Sequence, residues 1–242
     1  SLAGSGTLGL LIPPSIILII YGVAVQESIA KLFIAGIIPG IMIALIFMTY
    51  VIIWSLINKK EMPKILEEFS FLEKIKRSKQ LLPVVLLISA VIGSIYTGIA
   101  TATEAASLGV VGALILSYFQ KSLSLETFKS SLLGATKTSC MIAFILAGST
   151  FLSLAMGFTG LPRNLALWIQ NMELSPYILI LVLMIFYIIL GMFLDGISAV
   201  VLTMAIIEPM IRQAGFDMIW FGIFLVIVVE MAQITPPVGF NL

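Results

Sequence analysis

Two proline pairs interrupt apolar, helix-compatible sequence, and hydroxyls and glycines flank both. The first is Leu11-Ile12-Pro13-Pro14-Ser15, preceded by Ser5-Gly6-Thr7-Leu8-Gly9. The second is Ile234-Thr235-Pro236-Pro237-Val238-Gly239, preceded by Met231-Ala232-Gln233. Proline has no backbone donor and clashes with the carbonyl four residues back. Pro13 and Pro14 are therefore expected to free the carbonyls of Gly9 and Leu10, and Pro236 and Pro237 those of Ala232 and Gln233. With the hydroxyls of Ser5, Thr7 and Thr235, these carbonyls form oxygen-only sets suited to a hard cation such as sodium. Inside a bilayer, such a break survives only where protein, water or an ion satisfies it. Paired breaks in a membrane chain point to a transport site. A single break reads as a packing kink; two, each with Ser or Thr and Gly around it, favour a site.

The carboxylates come next. Asp195 and Glu104 lie in or beside apolar sequence, and an intramembrane carboxylate is a functional candidate by default. Each also fits a helix cap: Asp195 precedes Gly196 at the end of a span, and Glu104 follows Thr101 at the spacing of a capping box. Glu230 and Glu208 lie in similar runs, and Glu208, just before Pro209, reads as structural. The candidate substrate-binding set is Ser149, Thr150, Asp195, Thr101 and Thr103. Arg163 could meet an anionic substrate, but snorkelling to the membrane interface is the favoured reading.

The elements that position these residues are membrane helices. The chain is 60% hydrophobic and 10% charged, with a mean hydropathy of +1.18. No soluble domain of 242 residues hides that much apolar surface. A net charge of +1 suggests no nucleic-acid partner. Histidine is absent from the sequence, which removes the commonest metal ligand and the usual proton carrier near neutral pH. No metal beyond sodium and no cofactor is expected. Cys140 reads as a small buried hydrophobe. Intramembrane proteolysis needs a nucleophile–base pair or two aspartates, and Asp195 has no evident partner aspartate. A purely structural scaffold would not need paired breaks and a hairpin.

Expected spans are Gly9–Val25, interrupted by its prolines; Ile29–Ile57, kinked at Pro39-Gly40; Leu81–Ile99; Leu108–Phe119; Pro176–Leu194; Ile197–Ile211; and Ile219–Gln233. Asn58–Gln80 carries seven of the thirteen basic residues and four glutamates, so it is placed in the cytoplasm, with a helix on the membrane surface around Leu66–Leu72. Ser122–Thr138 reads as an interfacial connecting helix. It is cytoplasmic if Leu81–Ile99 and Leu108–Phe119 are two passes, and outside if they form one broken unit. Met141–Met156 and Leu161–Trp168 flank a glycine–proline tip at Gly157–Pro162 and read as a re-entrant hairpin. The glycine sets around Gly109-Gly112 and Gly93-Gly98 suit close helix packing. Starting at Ser1 without a charged n-region, the chain does not read as beginning with a signal peptide. It reads as part of a longer membrane protein.

Four motifs carry a family resemblance. Gly6-Thr7-Leu8-Gly9-Leu10-Leu11-Ile12-Pro13-Pro14-Ser15 resembles the first broken helix of the large membrane subunit of TRAP transporters, the tripartite ATP-independent periplasmic family (DctM-like). Gly98-Ile99-Ala100-Thr101-Ala102-Thr103-Glu104-Ala105-Ala106 resembles that subunit's G-x-x-T-P-T-E-A-A signature, with Ala102 in place of the usual proline. Gly191-Met192-Phe193-Leu194-Asp195 and Ile234-Thr235-Pro236-Pro237-Val238-Gly239-Phe240-Asn241-Leu242 are similar to two further motifs. The four occur in family order.

The resemblance implies an all-α polytopic membrane protein with broken helices and a re-entrant hairpin, of elevator type. It would comprise the end of a first repeat (1–57), a cytoplasmic linker (58–80) and a second inverted repeat (81–242) with hairpin 141–172 and broken helix 219–242. It implies a sodium-coupled carrier, not an enzyme, in a bacterial or archaeal inner membrane. The carrier would import small carboxylates, working with a DctQ-like small membrane subunit and a DctP-like periplasmic binding protein. Sodium sites would lie where hairpin tips meet broken helices, with Ser5, Gly6, Thr7 and Gly9 in one and Gly157, Gly160, Thr235 and Pro236 in the other. A related sodium- or proton-coupled carrier without a binding protein is the competing expectation.

Overall fold

The computed structural model describes residues 6, 8–58, 73, 78–79, 81–160, 164–165, 167–168 and 175–236. Among them every regular element is helical. A 3₁₀ turn, Leu8–Leu10, precedes α1 (Ile16–Ala24), α2 (Ile29–Ile57), α3 (Leu82–Tyr96), α4 (Ala102–Phe119), α5 (Leu125–Thr159), α6 (Pro176–Gly191), α7 (Gly196–Gln213) and α8 (Met218–Gln233). By length and composition α2, α4, α5 and α7 can each cross a membrane, and α3, α6 and α8 are shorter apolar helices. Large apolar side chains stand exposed along the second half of α2 and along α4 and α5. In water such a surface would drive aggregation, whereas in hydrocarbon it is the ordinary exterior. The chain is a multi-pass, all-α membrane protein.

The chain divides into two compact units, Ser1–Met48 with Thr138–Leu242, and Thr49–Lys137. In the first, α1 runs antiparallel to α8. The Tyr21 hydroxyl donates to the Met218 carbonyl (2.6 Å), at the start of α8, while Ile17 reaches the level of Val229 and Gln233. Gly222 lets the Tyr21 ring lie directly on α8: a Cβ there would sit 2.5 Å from the ring. The core of this unit includes Leu18, Tyr21, Phe33, Tyr187, Val200, Phe221 and Leu225, all essentially inaccessible. The buried Tyr187 hydroxyl shares a 2.6 Å hydrogen bond with Thr203, which joins α6 to α7. Arg212 closes the far end of α7. It bonds Glu208 at 2.9 Å and the Val25 carbonyl at 3.2 Å, and Glu27 lies 3.7 Å away. Glu208 is structural, as expected.

In the second unit α3 and α4 form an antiparallel pair. Gly109 faces Val91, and Gly112 faces Leu87 one turn further on. These glycines provide the close packing expected of them; around Gly93 there is no neighbour that a Cβ would meet. Gly98, at φ +72°, makes the reversal between the two helices. Antiparallel packing returns the chain to the end from which it left. Lys79, Leu82 and Leu116 accordingly line one shared hollow. Leu81–Ile99 and Leu108–Phe119 are therefore two separate arms rather than one broken unit.

Several expectations change. Ser122–Thr138 and Met141–Met156 are not separate elements: they join in the 35-residue α5. Gly134-Ala135-Thr136-Lys137-Thr138-Ser139-Cys140 contains no proline, so the helix runs through. Cys140 is exposed on α5 rather than buried. The second hairpin arm lies mostly outside the described residues, though Asn164, Leu165, Leu167 and Trp168 are helical. Most of Asn58–Gln80, including the surface helix at Leu66–Leu72, also lies outside them, as do Arg163 and everything beyond Pro236. α2 continues through Pro39, and Gly40 takes Ile12 against it, with 2.8 Å between an added Cβ and the Ile12 side chain.

Candidate functional site

The first break is built around Ser15. The Leu11 and Ile12 amides donate to the Leu8 carbonyl at 3.2 and 2.9 Å, closing the 3₁₀ turn. Ser15 is the N-cap of α1, accepting from the Leu18 amide at 3.3 Å, and its hydroxyl donates to the Leu10 carbonyl. Its side chain is completely buried. The Leu10 carbonyl, which proline was expected to leave free, is thus taken by the protein itself. The second break behaves alike: the Thr235 amide donates to the Ala232 carbonyl at 3.0 Å, and the Thr235 hydroxyl donates to the Met231 carbonyl at 2.7 Å. Ala232 is therefore also satisfied. The sequence reading missed both, because it counted i−4 partners and overlooked 3₁₀ bonds and hydroxyl donors.

Four helix ends converge in this unit. Gly196, at the start of α7, is pressed by Gln233 near the end of α8 and by Ile17 near the start of α1. A Cβ on Gly196 would lie 2.7 Å from both side chains and 2.9 Å from Val229. Gly191, at the end of α6, abuts Ala232 of α8, where a Cβ would lie 2.6 Å from the alanine methyl. Two N-termini and two C-termini thus meet beside both breaks. Helix N-termini favour anionic groups, and C-terminal carbonyls favour cations.

The candidate residues distribute unevenly around that convergence. Asp195 sits at it as the N-cap of α7, accepting from the Ser198 amide at 3.1 Å. Ser149 is buried and donates to the Val201 carbonyl at 2.6 Å, tying α5 to α7. Thr150 is exposed and bonds back to Leu146. Gly9, Gly157 and Gly160 have open space where a Cβ would stand. Gly160, at φ +69°, ends α5 as its left-handed cap. Gly6 is exposed, and Ser5 and Thr7 lie outside the described residues.

Thr101 and Thr103 belong to the other unit. Thr101 caps α4 in a complete capping box: its hydroxyl accepts from the Glu104 amide at 3.3 Å, and the Glu104 carboxylate takes the Thr101 amide at 2.8 Å. That arrangement gives Glu104 a structural role. Glu230, grouped by sequence with the other carboxylates in apolar runs, is buried near the end of α8.

The family model described as "Tripartite ATP-independent periplasmic transporter, DctM component" matches residues 2–242. The chain belongs to this family. It is 34% identical over 239 residues to the C4-dicarboxylate TRAP transporter large permease protein DctM of Pseudomonas aeruginosa, covering 98% of the chain and 55% of that relative. It is 31% identical over 244 residues to the isethionate TRAP transporter permease protein DctMQ of Oleidesulfovibrio alaskensis, covering 99% and 38%. It is 30% identical over 246 residues to the 2,3-diketo-L-gulonate TRAP transporter large permease protein YiaN of Escherichia coli, covering 98% and 56%. These three relatives are transporter permeases by name. The chain spans little more than half the length of the DctM and YiaN relatives.

Proposed function

We propose that the chain is the membrane-spanning translocation part of a sodium-coupled TRAP importer for small organic anions. In this reading it lies in an inner membrane and moves by an elevator mechanism. Its hairpin begins with the end of α5, and its second inverted repeat begins after the basic linker. A periplasmic binding protein delivers the anion, and a small membrane subunit completes the permease. The observation that carries the reading is the meeting of four helix ends beside both proline breaks, in a chain of the DctM family. Such a convergence offers amide ends to an anion and carbonyl ends to a cation.

The names of the relatives support an anionic cargo: C4-dicarboxylate, isethionate and 2,3-diketo-L-gulonate are all organic anions. Sodium would be held by oxygens near the breaks, with Ser5, Gly6, Thr7 and Gly9 at one and Gly157, Gly160, Thr235 and Pro236 at the other. Asp195, Ser149, Thr150, Thr101 and Thr103 are the proposed substrate contacts. Asp195 caps α7 at the convergence, and Ser149 bonds Val201 of the same helix.

The test uses the complete complex in proteoliposomes, with the anion that co-purifies with its binding protein as cargo. Uptake is expected when sodium is added outside, with no requirement for ATP. Equal uptake in sodium-free choline buffer would remove sodium coupling.

A further inference from the structure

Glu230 is 5% exposed, and its Oε1 is fully enclosed without a hydrogen-bond partner among the described residues. It lies on the stripe of α8 that carries Ile223, Val226 and Gln233, all buried. One turn further on, Gln233 reaches the convergence of helix ends at Gly196. A carboxylate that has lost water and gained no partner is strongly disfavoured as a bare anion.

Among the described residues, the elements packed against α8 offer it no counter-charge. On α1, Tyr21 is engaged with Met218, at the opposite end of α8. On α6, Tyr187 is bonded to Thr203, and Tyr177 stands exposed in the first turn. On α7, Asp195 caps its own helix, and Glu208 is paired with Arg212, which also faces Glu27 and Val25. The 3₁₀ turn Leu8–Leu10 carries no charge, and Lys31 of α2 is exposed in that helix's first turn. A metal cation needs a shell of several oxygens. A proton needs one lone pair, which is what the enclosed Oε1 supplies.

We propose that Glu230 is a proton-binding site of the transport cycle. The proton is held as the O–H of a neutral carboxyl group while the helix ends are closed. It is released to water, leaving the carboxylate, when the adjacent break is hydrated during turnover. Proton movement then accompanies the sodium and anion movement proposed above. The cycle rests on that reading; occupancy of the carboxyl by a proton does not.

The experiment uses the full-length transporter with its partners in liposomes. Infrared difference spectra, taken on adding sodium and then the anion, are expected to show a change in a protonated-carboxyl band. That band should be lost in Glu230→Gln. Uptake by Glu230→Gln is expected to lose its dependence on pH and to keep the wild-type sodium half-saturation, because glutamine mimics the neutral group. Glu230→Asp keeps an ionisable group and should keep the pH dependence even where Glu230→Gln folds poorly. A band that persists in Glu230→Gln, or one insensitive to sodium and anion, overturns the proposal. So does a pH profile unchanged by Glu230→Gln, or a raised sodium half-saturation, which would make the carboxylate a sodium ligand. If wild type shows no sodium-driven uptake, the proposed function fails alone, and the infrared band still decides Glu230.

Discussion

Ser15 and Thr235 are both hydroxyls beside a proline pair, yet they occupy different situations. Ser15 is wholly buried, accepts from the Leu18 amide and gives its proton to the Leu10 carbonyl. Removing the hydroxyl strands a buried carbonyl and an N-terminal amide together. Ser15→Ala is expected to cost about 2 kcal/mol or more, given the usual worth of a cap and of a buried acceptor left unmade. A lower thermal midpoint in detergent is the readout, and an unchanged midpoint counts against it. Thr235 is only partly covered and donates to Met231, which leaves the lone pairs of its oxygen available. Thr235→Ala should barely move the thermal midpoint and should raise the sodium concentration for half-maximal uptake. Superimposable sodium titrations would mean that the hydroxyl serves its own helix only. The proline breaks were legible from spacing, but the use of Ser15 was not. The bond runs from a cap hydroxyl to a carbonyl five residues back, outside the i−4 pattern that proline disrupts.

At the level of elements, the Thr101–Glu104 spacing read correctly as a capping box because both partners are local in sequence. The same geometry resolves the substitution at Ala102, where the family signature carries proline. Ala102 is the first residue of α4, a position where proline is well accommodated because the amide has no helical partner. Thr101 has ψ 163°, the extended conformation a following proline requires. Ala102→Pro is therefore expected to be neutral or stabilising by up to about 1 kcal/mol. A clear fall in the unfolding midpoint would show that the turn at Gly98 cannot accommodate the ring. The junction within α5 was less legible. A change from polar to apolar composition near Thr138 looks like an element boundary, but without proline nothing in the backbone breaks the helix there.

For the whole molecule, the antiparallel α3–α4 pair places Lys79 and Lys121 at the same end of their unit. The stretch Asn58–Gln80 holds seven basic residues, the strongest orientation signal in the sequence. Single cysteines replacing Lys64 and Lys121, in a Cys140→Ser background, should both resist a membrane-impermeant thiol reagent in intact cells and react after lysis. Labelling of both before lysis reverses the orientation; labelling of one alone contradicts two complete passes. The apolar spans and their order were visible in composition. The convergence of α1, α6, α7 and α8 was not, because it joins Ile17, Gly191, Gly196 and Gln233, residues up to 216 positions apart. Glu230 was visible as a carboxylate in an apolar run, but its enclosure was not, because that is a property of the packed bundle and not of the run in which it sits.

At 1.5 Å per residue, the 35 residues of α5 extend about 52 Å, against a hydrocarbon core of about 30 Å. Its charges Glu126, Lys129 and Lys137 all fall within the first thirteen residues, about 20 Å of that length. The uncharged remainder, from Thr138 to Thr159, extends about 33 Å, close to the thickness of that hydrocarbon core. Cys140, exposed three residues after the last of those charges, is a thiol standing where the charged part of the helix gives way to the apolar part.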